Sequence, residues 1–148
     1  MLRKFGIIAV LAMLVTALTA APVLAANPHT VPSGAPVTCT LNPAGDTVTC
    51  AGELAGLGNV NFITVTVEAA GGCATPNEQA NEPPGHVQST SEPIRVSKNG
   101  RATFSQPLTV DCPPGLDPVF GSTADIFIFN AETGALITSF ENIPITQL

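Results

Sequence analysis

The 148-residue chain has no tryptophan and no tyrosine, and only five Lys+Arg and two histidines against eleven Asp+Glu. Each shortage narrows the function. Carbohydrate modules built on β-sandwiches usually offer flat Trp or Tyr platforms, and both are missing. True immunoglobulin domains carry a Cys…Trp…Cys pattern, which a chain without Trp does not have. So few bases make nucleic acid and anionic membranes poor partners. His29 and His86 have no spaced partner for a metal site, and no serine stands in a G-x-S-x-G context. A nucleophile here would lack an activating base, so the sequence reads as that of a protein that is not an enzyme and uses no cofactor.

The N-terminus carries a recognisable signal. Arg3 and Lys4 precede an apolar stretch, Ile7–Ala20, followed by APVLAA with small residues at Val23 and Ala25. A charged start, an apolar middle and a small-residue end describe a secretory signal peptide, residues 1–25, cut after Ala25. The alternative is an uncleaved anchor, and the stretch is short for a membrane span. Removing residues 1–25 leaves three bases (Arg95, Lys98, Arg101) against eleven acids, a formal charge of −8. The expected location is secreted, with no membrane contact after cleavage.

Four cysteines in an exported chain imply a disulfide framework. If residues 37–52 form a hairpin turning at Pro43–Asp46, opposed residues have numbers summing to 89. Cys39 then faces Cys50 and Leu41 faces Val48, within disulfide reach. Cys73 and Cys112 remain for the second bridge. Zinc is the other use of four cysteines, but the spacing contains no C-x₂₋₄-C pair.

Asn61–Ala69, NFITVTVEA, is the clearest strand. Ile63, Val65, Val67 and Ala69 share one parity, so this side faces a core. Phe62 then points outward and offers an apolar contact to a partner. Residues 26–36 read as a flexible lead-in, and residues 37–148 as one domain. Glu53–Val60 reads as a crossing between sheets. Gly71–Ser91 shows no apolar period and reads as one long loop; within it Pro83, Pro84 and His86 are candidate contact residues. Glu92–Val96 and Arg101–Val110 read as a hairpin about a Lys98–Gly100 loop, which opposes Ile94 to Phe104. Pro107 confines the second of these strands to an edge or a bulge. Ala124–Asn130, ADIFIFN, is apolar on both parities and should be covered on both sides. After AETG, Ala135–Phe140 should oppose Ile137 to Ile128 and Leu136 to Phe129. Residues 143–147 add a short edge strand. Asp111, Asp117 and Asp125 offer oxygens for a weak calcium site.

About seven short strands and no helical period indicate an all-β, antiparallel, immunoglobulin-like sandwich. The segments CAGELAGLGNVNFITVTVEAAGGC, PPGH and NGRATFSQPLTVDCPPG resemble a set of small exported bacterial proteins with two disulfides. Their pattern is C-x-G…LAGLGN…C…PG…NG-x-x-x-F…C-P, and it covers most of residues 37–115. The resemblance implies the same β-sandwich and exported location, and brings no activity or site residue with it. A weaker likeness is to neocarzinostatin-type apoproteins, whose cysteine spacing differs. The expected function is non-catalytic extracellular interaction, with itself or another protein, as an envelope or matrix component or a binding module. A loop-based inhibitor of an exported protease and a small-ligand carrier are the alternatives.

Overall fold

Asn42 sets the first turn of the chain. Its Oδ1 accepts from the backbone N–H of Asp46 and Thr47, each at 3.1 Å, and its Nδ2 donates to Asp46 Oδ1 at 2.7 Å. Gly45 supplies the positive φ (77°) that the turn needs. Strands Thr38–Leu41 and Thr47–Ala55 leave this turn in the expected register, with Cys39 opposite Cys50 and Leu41 opposite Val48. Both disulfides, Cys39–Cys50 and Cys73–Cys112, are present.

The computed structural model describes residues 27–31, 36–77, 83 and 85–148. The expected signal peptide, residues 1–25, lies outside these. The strands are β1 (His29–Thr30), β2 (Thr38–Leu41), β3 (Thr47–Ala55), β4 (Phe62–Ala74), β5 (His86–Thr90), β6 (Ile94–Arg95), β7 (Ala102–Thr109), β8 (Asp117–Asn130) and β9 (Leu136–Gln147). The described residues contain no helix.

Nine strands replace the expected seven, and the sheet is mixed, not purely antiparallel. β3 pairs with β2 and β1 along one edge and with β7 along the other. β4 pairs with β8 along one edge and with β5 and β6 along the other. β9 joins the two halves: it pairs antiparallel with β8, and its last residues run parallel to β2, Cys39 opposite Ile145. The expected crossing, Glu53–Val60, begins later: β3 runs on to Ala55, and residues 56–61 pass between the halves.

The halves share one core. Val48, Leu54, Phe104 and Leu108 from one, and Ile63, Val65, Val67, Ile126 and Ile128 from the other, belong to a single buried cluster. Burying each aliphatic side chain is worth about 1.5–3 kcal/mol, so the alternation in β4 and β8 fixes which side faces inward.

Four expectations need correction. Residues 27–31 of the lead-in are partly paired, because β1 lies along the end of β3. The 71–91 segment is not one loop: β4 runs on to Ala74, and β5 occupies His86–Thr90. β5 is an edge strand in which only Val87 is a large apolar residue, so no period announced it. The 92–110 segment is not a hairpin. Its turn forms as expected, with Ser97 N donating to Arg101 O at 2.8 Å and Gly100 at φ 74°. Beyond that pair the strands part, β6 joining β4 and β7 joining β3; Phe104 therefore faces Gly52, not Ile94. Finally, Leu136 does oppose Phe129, but a register shift places Thr138, not Ile137, opposite Ile128. Residues 143–147 are the continuation of β9.

The first turn has a pH signature. Hydrogen bonds from Asn42 and Thr47 hold the Asp46 carboxyl below its ordinary value of 3.8. A carboxylate depressed in the folded state contributes stability above the unfolded value, and that stability is lost as pH falls through the folded one. Thermal melts should therefore fall as pH drops below 3.8, and less steeply in Asp46→Asn, which keeps an acceptor and does not titrate. Identical acid limbs would contradict this.

Candidate interaction surface

The outer side of β4 and β8 carries the most distinctive chemistry of the surface. On β4 the outward parity is Phe62, Thr64, Thr66 and Glu68; on β8 it is Asp125, Phe127 and Phe129. Thr64 lies opposite Phe129, Thr66 opposite Phe127, and Glu68 opposite Asp125. Phe62, Phe127 and Phe129 are each half-buried. Leu136, opposite Phe129 on β9, is 55% exposed. The inward parity of the same strand, Ala124, Ile126 and Ile128, is buried. The expectation that ADIFIFN is covered on both sides therefore holds on one side only.

The two ends of this apolar strip differ in charge. Arg95, on β6 opposite Phe62, places its guanidinium 5.8 Å from the Phe62 ring centroid. Such a contact is worth about 0.5–1 kcal/mol at an exposed site. At the other end Glu68 and Asp125 stand directly opposite each other, an arrangement that repels. Asp125 Oδ1 accepts from Asn142 N at 2.8 Å, and His86 Nε2 lies 3.5 Å from Glu68. Phe62 and Glu68 are six residues apart on one strand, about 20 Å.

The residues anticipated from sequence do not converge. Phe62 sits at the Arg95 end. His86, exposed at the start of β5, and Pro83 line a shallow depression of about 530 Å³ with Glu68 and Asp125 at the other end. Pro84 lies outside the described residues. Phe127, Phe129 and Leu136 were missed as surface residues; their signal was the double-parity apolar pattern of residues 124–130.

Asp111, Asp117 and Asp125 are not brought together. Asp117 and Asp125 lie eight residues apart on the one strand β8, about 26 Å, and Asp125 is engaged by the Asn142 amide. Among the described residues no group of three His, Cys, Asp or Glu is placed to hold a metal ion. No buried side-chain polar atom among them lacks a partner.

Fold and surface together define a class: an all-β chain stapled by two disulfides, with its distinctive chemistry on open faces. Comparisons with protein-family models, with curated proteins and with solved structures return no match.

Proposed function

We propose that the protein is an exported, non-catalytic immunoglobulin-like β-sandwich that acts by extracellular interaction, assembling with copies of itself as an envelope or matrix component. The strand pairing supports the sandwich. In immunoglobulin lettering, β3 between β2 and β7 corresponds to B between A and E, and β8 between β4 and β9 to F between C and G, with β5 as C′. Two disulfides fit an oxidising compartment, and the N-terminal segment supports export.

The observation that carries the self-association reading is the half-covered outer side of β8. A two-fold axis through the middle of the strip lays Phe127 and Phe129 of two copies together. It also sets Arg95 of each against the Glu68–Asp125 pair of the other. That is the self-complementary pattern an isologous dimer needs, and it brings a guanidinium to the facing carboxylates, where within one chain Glu68 meets His86 and Asp125 meets the Asn142 amide.

Light scattering of the oxidised protein should report a dimer. Phe127→Ser is expected to weaken it at least tenfold, about 1.4 kcal/mol, and Phe62→Ser less. Arg95→Glu and Glu68→Arg should each weaken association and restore it when combined. A wild-type monomer at every attainable concentration would overturn self-association and favour a module that binds a different protein.

A further inference from the structure

We propose that the end of the domain around the Ser97–Arg101 turn is a binding site for an acidic polysaccharide, a sugar chain bearing carboxylate or sulfate groups. Beyond residue 4 the chain has only three Lys or Arg residues. All three, Arg95, Lys98 and Arg101, line one open depression of about 890 Å³. Among the described residues no Asp or Glu lines it. In a chain this acidic, three clustered cations give the depression a local attraction for an extended anion, even with Glu53 beside Arg101 and Glu132 beside Asn61 at its margin.

The depression is held by backbone contacts. Leu57 N donates to Gly100 O at 3.1 Å, and Val96 N to Asn61 O at 2.8 Å. Gly100 is required there, because it has positive φ and a side chain would come within 3.3 Å of Leu57 N and Gly58 N. The crossing at residues 56–61 and the turn at 97–101 are thereby locked together, and Arg95, Lys98 and Arg101 line the depression beside them.

Lys98 and Arg101 are the available cations; Arg95 lies over Phe62 and is the one that the proposed dimer engages. Among the described residues no carboxylate pairs with Lys98. Arg101 meets Glu53 at 3.5 Å with both side chains substantially exposed, at 50% and 40%; such pairs contribute about 0–1 kcal/mol, and a ligand oxyanion can displace them. Asn59, Asn61 and Ser97 also line it; Asn61 Nδ2 donates to Glu132 Oε1 at 3.5 Å and Ser97 Oγ donates to Asn99 Oδ1, so Asn59 and the Asn61 Oδ1 are the groups offered to ligand hydroxyls. Cations beside amide groups suit a ligand that bears both oxyanions and hydroxyls. No aromatic ring is among the described residues that line the depression, which disfavours single-stranded nucleic acid, whose bases stack on such rings, and means that a polysaccharide is held here through its charges and not on the Trp or Tyr platforms this chain lacks. Duplex DNA, with one charge per about 1.7 Å, would be repelled by the rest of this surface more strongly than a polymer charged once per sugar. The export reading bears only on where the ligand is met.

The test is fluorescence anisotropy of labelled polygalacturonate and labelled dextran sulfate titrated with the oxidised protein at low salt, with neutral dextran and poly-glutamate alongside. Binding to one or both acidic polysaccharides, weakening as salt rises, is expected; their order identifies carboxylate or sulfate as the preferred group. Lys98→Gln/Arg101→Gln, both exposed positions, should weaken binding at least tenfold and flatten the salt dependence by about two units of slope. Phe127→Ser should leave it unchanged, so failure of the dimer does not count as failure of this site. Absence of binding, binding that survives the double substitution, or equal binding of neutral dextran or poly-glutamate would overturn the assignment.

Discussion

Removing the Cys39–Cys50 bridge by the paired substitution Cys39→Ala/Cys50→Ala is expected to destabilise the domain by about 5 kcal/mol, more than removing Cys73–Cys112. Loop entropy alone predicts the opposite order. The first bridge has a sequence separation of 11 and the second of 39, so the chain-entropy model gives about 2.8 kcal/mol for the first and about 3.9 for the second. Burial reverses the ranking. Cys39 and Cys50 are 1% and 0% exposed and belong to the core. Truncating each also loses a buried, methylene-sized group, about 1 kcal/mol apiece. Cys73 and Cys112 are only partly covered and add little beyond entropy. Urea unfolding of the two double variants decides the matter. A lower midpoint for the Cys73/Cys112 variant, at equal slope, would show that loop length outweighs packing.

Phe104→Ala is expected to cost about 3–5 kcal/mol, and part of that loss should be recoverable from across the ladder. Phe104 is 2% exposed and lies opposite Gly52 on β3. A Cβ at Gly52 would come 3.2 Å from the ring and 3.3 Å from Val37 Cγ2. The glycine is thus matched to the aromatic ring, and Gly52→Ala alone should destabilise by overpacking, about 1–3 kcal/mol. With the ring removed, the same alanine fills part of the space it left. The double variant Gly52→Ala/Phe104→Ala should therefore be more stable than the sum of the two single changes implies. Strict additivity in thermal or urea unfolding would mean that the ring does not rest on Gly52.

These two sites also show what the sequence made legible. The first hairpin was readable to the residue, because an Asn-Pro-Ala-Gly turn and the facing cysteines agree on one register. β4 was readable from its β-branched alternation. The Ser97–Arg101 turn was readable as a turn, but its flanking strands were assigned to each other when they belong to different halves. A turn fixes only its nearest pair; the neighbours of β6 and β7 are decided by burial of Ile94 against β4 and of Phe104 and Leu108 under β3. β5 escaped notice because edge strands need little apolar content. The slip at Ile137 was invisible because both parities there are apolar, so shifting by one residue breaks no pattern. For the candidate surface, Phe62 was visible because its strand alternates cleanly. Phe127 and Phe129 were obscured because the sequence cannot tell an outer side covered by the chain from one left for something else. The depression around Lys98 was hidden for another reason: its cations come together only through the Leu57–Gly100 backbone contact.

The change of partner along β9 also sets an order of events. Asn142, at φ 56°, sits at a register shift in the pairing with β8, which continues to Pro144; the next three residues, Ile145–Gln147, run beside β2. A chain made from its N-terminus completes the β2–β3 hairpin early, yet the outer edge of β2 finds its neighbour only in Ile145–Gln147, far later in the chain. Until then that edge is an open template for strand addition by other chains. The nascent protein is therefore prone to intermolecular pairing until residues 145–147 have emerged, and a substitution that unseats them from β2 would prolong that hazard.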